Sequence, residues 1–153
     1  LIRGFHERYP AVTFDLYTAT ADHVKERMDR GVTDIGLLLE PINKEKYDYI
    51  NLNHREQWVV VMPPNSPLAE LEAVSPKDLR GLPLILPHRL NVQNELARWF
   101  GDEFEKLNVL FTSNLSSNSS IMVHRGLAYS IIVKGSIAFW DPEKSHIVPC
   151  LRI

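Results

Sequence analysis

Leu1, Ile2, Phe5 and Tyr9 lie on or near one helical face, and Pro10 closes that segment because the residue before a proline is pushed out of the α region. Val12, Phe14 and Leu16 then alternate with Thr13, Asp15 and Tyr17, which predicts a strand, and Thr18 to Thr20 supply a polar turn. From Ala21 the period turns helical through Val24, Arg27, Met28 and Gly31, with Thr20 as N-cap and Gly31 as the C-terminal stop. Asp34 to Leu39 is a continuous apolar run bounded by turns, the pattern of a buried parallel strand. Strand, helix and strand in this order make a βαβ unit with a right-handed crossover.

Further along, Trp58 to Met62 predicts another strand, ended by Pro63-Pro64-Asn65-Ser66-Pro67, and this cluster of prolines marks a crossing or hinge. A second α/β cycle follows. Ser75 to Leu79 starts a one-turn helix, Leu84 to Leu86 is a strand, and Asn91 to Lys106 is a helix whose Leu96, Trp99, Phe100 and Phe104 recur at helical spacing. The remaining expectations are a strand at Val109 to Thr112, a Ser/Asn loop over 113–120, a helix from Ile121 to Arg125 and a strand from Ala128 to Val133. Two α/β cycles flanking a proline-rich crossing predict an α/β protein of two lobes with mostly parallel sheets flanked by helices. Lobe I is expected at 1–65 and 135–153, and lobe II at 66–134. Trp99 and Phe100 are read as core, with a subunit interface as the alternative.

Composition narrows the function classes. The chain has 153 residues, 44% hydrophobic and 24% charged, and a formal charge of −2, with Lys and Arg spread among the acids. No basic stripe is present to neutralise a row of phosphates, so these residues alone are not expected to grip DNA. No apolar run reaches membrane-spanning length. Cys150 is the single cysteine, which excludes an internal disulfide and fits a buried, unreactive thiol. The six histidines never fall at i, i+3 or i+4 and Cys150 has no C-x-x-C partner, so no metal site is expected, nor any cofactor. No nucleophile elbow, dinucleotide fingerprint or phosphate loop occurs. Acidic clusters such as Glu70/Glu72 and Asp102/Glu103/Glu105 read as solvated faces, and the chain is not expected to be an enzyme.

Five short motifs in order carry a resemblance. Phe5-His6-Glu7-Arg8-Tyr9-Pro10 followed by Val12, Gly31-Val32-Thr33-Asp34, Ser66-Pro67-Leu68-Ala69, Asp78-Leu79-Arg80-Gly81-Leu82-Pro83-Leu84-Ile85, and Val123-His124-Arg125-Gly126 through Ile132 resemble the effector-binding domain of LysR-type transcriptional regulators. Ala128 and Val133 depart from the family pattern of glycine and proline at those places. The resemblance implies a two-lobed, type 2 periplasmic-binding-protein-like fold whose first strand lies before Leu1, with both ends of this sequence reading as cuts. It also implies a small-molecule effector, an organic anion or amino-acid derivative, bound between the lobes. The expected partners are a second copy in a homodimer, or a tetramer in the full-length protein. DNA is reached only through an N-terminal winged helix-turn-helix outside these residues, the location is cytoplasmic, and no membrane is involved. An extracytoplasmic solute-binding protein of a transporter is the alternative, since one fold serves both roles.

Ligands of such sheets sit outside the carboxyl ends of the strands, which selects the candidate residues. Thr18, Thr20 and Ala21 stand where a strand hands over to a helix N-terminus suited to a carboxylate, although Thr20 also fits a simple cap. Pro87, His88 and Arg89 follow the Leu84 strand, and Arg89 can clamp a carboxylate in two-pronged fashion. Ser117 and Asn118 offer donors and acceptors in the polar tract before the next helix, which also reads as a loop with a capping serine.

Overall fold

The structure is a computed structural model that describes residues 2–40, 42–137, 140–141 and 143–151. The chain divides into two compact units, Leu1–Tyr47 and Asp48–Ile153.

The first unit holds two helices, α1 (Ile2–Arg8) and α2 (Ala21–Asp29). Phe5 of α1 stacks on Tyr9 at 4.8 Å and meets Phe14 edge-on at 5.9 Å. Along α2, Lys25 pairs with Asp22 and Arg30 with Glu26, the three- and four-residue spacings that face each other on a helix. Asp29 at its end accepts from Lys46 Nζ at 2.6 Å and Tyr47 OH at 2.7 Å, which ties the last stretch of the unit to α2. These two donors hold its carboxyl below the usual carboxylate range. The backbone at Gly36 lies so close to Met28 and Val24 of α2 that a side chain there would collide with the Met28 sulfur.

Neither strand expected in this unit forms. Residues 12–20 and 35–39 have no ladder partner, and the first strand among the described residues is Trp58–Met62. Alternation and apolarity prepare a segment for pairing, but a strand exists only when a neighbouring backbone supplies the other half of each hydrogen bond.

One five-stranded sheet organises the second unit: β1 (Trp58–Met62), β2 (Leu84–Pro87), β3 (Val109–Ser113), β4 (Tyr129–Val133) and β5 (His146–Pro149), in the order β3-β2-β4-β1-β5. β2 runs parallel to β3 and β4, whereas β1 is antiparallel to both β4 and β5. The sheet is therefore mixed, not mostly parallel. Helices α3 (Leu90–Phe100) and α4 (Ser116–His124) follow β2 and β3. Val59 and Val61 of β1 point into a cluster with Ile85, Val123, Ala128, Ile132 and Trp140. Val60 and Met62 point the other way, with Leu84, Leu86, Leu96, Phe100, Ile131 and Val148. The central strands β2, β4 and β1 are buried on both faces, which is why they are near-continuous apolar runs, whereas the edge strand β3 is exposed.

Several boundaries move. The proline passage does not separate the units: Ser66 N–H donates to Pro63 O at 3.1 Å, and Ser66 Oγ accepts from Leu68 N at 3.2 Å and donates to Tyr129 OH at 3.2 Å. It is a capped turn inside the second unit, and β1 and β5, expected in lobe I, share a sheet with the lobe II strands. The helix expected at 91–106 ends its α portion at Phe100, because Gly101 takes φ +57, and continues as a 3-10 turn to Lys106. The helix expected from Ile121 begins at Ser116, inside the tract read as a loop. Phe100 is buried and Trp99 packs partly buried beside it, its indole N–H donating to Leu151 O at 2.6 Å. Among the described residues no helix is long and apolar enough to cross a membrane.

Candidate functional site

Because β2, β3 and β4 are mutually parallel, their carboxyl ends share one edge of the sheet. β2 delivers Pro87, His88 and Arg89 there, and β3 delivers Thr112 and Ser113. His88 N–H donates to Ser113 O at 2.9 Å, extending the ladder one residue past β2, and His88 Nδ1 lies 3.3 Å from Thr112 Oγ1. Gln93, one turn into α3, donates its amide to Pro87 O at 2.9 Å and fixes the strand-to-helix corner.

Both following helices begin at this edge. The N-cap residue of α3 is Arg89 and that of α4 is Leu115, neither of which carries a side-chain acceptor for a helix N–H. The N-cap side chains of both helices therefore leave the first-turn amides uncapped, beside the partial positive charge of each helix end, although Val92 N–H of α3 turns back to Arg89 O at 3.1 Å. Ser117 and Asn118 are exposed on the first turn of α4, and Ser120 Oγ donates to Ser117 O at 2.7 Å. Leu90 and Leu115 are exposed large apolar residues at the same two helix starts.

Five of the sequence-predicted residues thus gather at one sheet edge: Pro87, His88, Arg89, Ser117 and Asn118. Thr18, Thr20 and Ala21 belong to the first unit. Thr20 occupies the N-cap position of α2, but its hydroxyl makes no cap bond and lies 3.2 Å from His23 Nδ1. The sequence reading missed Thr112, Ser113 and Gln93. The end of β3 signals the first two by the same strand-end rule that found His88, and Gln93 is visible only once the corner is built.

Two cavities lie elsewhere. One of about 400 Å³ in the first unit is lined by Asp22, Lys25, Glu26, Asp29, Asn43, Lys46 and Tyr47, of which Lys25 pairs with Asp22, Lys46 with Asp29, and Glu26 with Arg30 outside the lining. Another of about 450 Å³ in the second is lined by Ile121, His124, Arg125 and Lys144. Neither contains a predicted site residue.

With this geometry in place, the likeness to known proteins is specific. The LysR substrate binding domain family matches residues 1–148. An uncharacterized HTH-type transcriptional regulator of Bacillus subtilis, YvbU, is 29% identical over 148 residues, covering 97% of this chain and 49% of that protein. A putative LysR family transcriptional regulator from Pseudomonas aeruginosa superposes with TM-score 0.76 at 20% identity, over 97% of this chain and 52% of that one. The effector binding domain of QuiR, solved in complex with shikimate, superposes with TM-score 0.78 at 13% identity, over 99% of this chain and 73% of that one. The two structural likenesses speak for the fold, a type 2 periplasmic-binding-protein-like α/β arrangement, and the chain spans about half the length of the curated relatives it matches. Taken together with the family match across nearly all of its length, they place the protein: it belongs to the LysR substrate-binding domain family.

Proposed function

We propose that this chain is the effector-sensing part of a transcriptional regulator, binding a small molecule that carries an anionic group and turning nothing over. The observation that carries the reading is the edge where three parallel strands end and two helices begin without side-chain caps, lined by His88, Thr112, Ser113, Ser117 and Asn118. Backbone N–H groups at helix starts suit a carboxylate, and the hydroxyls and amide suit ring hydroxyls or an amino group. Arg89 adds a guanidinium beside them. Thr18, Thr20 and Ala21, at the start of α2 in the first unit, are a second set of candidate ligand contacts in this reading. QuiR, which shares the fold, was solved with shikimate, a hydroxylated carboxylate.

YvbU is named as a helix-turn-helix regulator, which favours this role over that of an extracytoplasmic solute-binding protein. In the full protein the effector acts by binding one arrangement of a homodimer or tetramer more tightly than another, since equal affinity for both shifts nothing. DNA contact falls to a winged helix-turn-helix outside this chain, and the protein works in the cytoplasm.

A thermal-shift screen of small hydroxylated and aromatic carboxylates tests the proposal. A ligand at a hundred times its dissociation constant adds about 2.7 kcal/mol of stability, several degrees of melting temperature. Hits are expected, with the shift abolished in His88→Ala and reduced in Thr20→Ala. If hits appear and both variants retain the full shift, the site is misplaced. Turnover of any hit would reject the non-catalytic role.

A further inference from the structure

The end of β4 is linked to the start of α4 by a chain of polar contacts that the ligand-facing residues do not explain. After Val133 the backbone makes a 3-10 turn, Lys134–Ile137. Gly135 N–H donates to Glu56 Oε2 at 2.8 Å across 79 positions of sequence, and Lys134 N–H donates to Gln57 O at 2.8 Å. The Glu56 side chain is only 20% exposed, and its other oxygen lies 3.4 Å from His54 Nε2. One residue on, Ser136 O accepts from Ser116 Oγ at 3.0 Å, and Ser136 Oγ donates to Val133 O at 2.7 Å. Ser116 is the first residue of α4 and immediately precedes Ser117 and Asn118. A Cβ at 135 would run into the Glu56 carboxylate and push it aside.

We propose that Glu56 is a positioning residue: its carboxylate clasps the 134–137 turn, and the turn, through Ser136 O and Ser116 Oγ, sets where the first turn of α4 stands. This deepens the effector reading, since it rests on α4 presenting Ser117 and Asn118 to a ligand. A mostly buried carboxylate accepting a backbone N–H is a strong, directional tie, and the serine hydroxyl transmits the position of the turn to the helix without either residue touching ligand.

Amide hydrogen exchange on the whole chain, without ligand, tests it. Glu56→Ala is expected to speed exchange of the amides of Ser120 to Val123, which bond to the first turn of α4, by about tenfold, equivalent to ~1.4 kcal/mol of local stability. Amides of α3 stay unchanged. Gly135→Ala reproduces the effect by displacing the carboxylate, and Ser116→Ala reproduces it while Gly135 N–H stays protected. Glu56→Gln, which keeps an acceptor oxygen, restores wild-type exchange. The clasp is refuted if Glu56→Ala or Ser116→Ala leaves α4 unchanged, or if α3 and α4 accelerate together. Such a result would leave the effector wall intact, and an empty ligand screen would leave the clasp standing.

Discussion

Cys150 stands at the end of β5, where its N–H donates to Trp58 O at 3.0 Å and its thiol is buried in the core. Burial pushes that thiol up to about 12, because the thiolate would lose its hydration among Val60, Leu84 and Val148. A thiolate is the reactive form, so a disulfide-based thiol reagent at pH 8 is expected to leave the folded protein unlabelled and to modify one group per chain after unfolding. Prompt labelling of the native chain would contradict the burial. The sign of the linkage also follows. Below pH 9 the thiol is protonated whether the chain is folded or not, and it has no effect on stability. Between about 9 and 12 only the unfolded chain gives up the proton, so stability falls as pH rises through that window. Asp78 behaves oppositely: hydrogen bonds from Ser75 Oγ at 2.5 Å and Ser75 N–H at 2.8 Å depress its carboxyl. That contribution is present above the ordinary carboxylate range and fades as pH drops through the depressed value.

On α3, the same residue type meets two environments. Leu96 is fully buried against the sheet, whereas Leu90, at the start of the helix, is 73% exposed. Leu96→Ala is expected to cost about 2–5 kcal/mol in urea unfolding, and Leu90→Ala to stay within about 0.5 kcal/mol. Equal costs would mean that the face of α3 is misassigned. This helix, like β1, β2 and β4, was legible because burial imposes a pattern on sequence: one apolar stripe for α3, continuous apolar runs for strands covered on both faces. The start of α4 was not legible, since Ser116 to Ser120 has the composition of a loop. What makes it helical is tertiary, with Ser119 and Val123, four apart, both buried. Strands over 12–17 and 34–39 were over-read for the converse reason, as periodicity reports a wish to pair and not a partner. Within the candidate site, His88 was visible from the end of β2, but the placement of Ser117 and Asn118 on a helix start depended on the unreadable α4 boundary.

For the molecule as a whole, the decisive contrast is between the two units. The second has a core on each face of its sheet, with Val59, Val60, Val61 and Met62 at 1% exposure or less. Among the described residues of 2–47 none is buried, and Ile35 and Leu37 are 86% and 81% exposed. Hydrophobic burial is the main term opposing chain entropy, at about 25 cal/mol per Å² of apolar surface removed from water. A segment with no buried residue gains little of it, and the surface ion pairs of α2 add only about 0–1 kcal/mol each. Local opening of 2–47 is therefore expected to be far easier than opening of the sheet. Brief trypsin treatment of this chain should cut first within 2–47, at Arg27 on α2, at Arg30 just past its end and at Lys44, leaving a resistant fragment that retains β1 through β5. Mass spectrometry of the early products decides it. If the first cuts fall instead at Lys77, Arg80 or Arg98, with α2 intact, the first unit holds together by interactions stronger than its exposed surface allows, and this account of where stability resides is wrong.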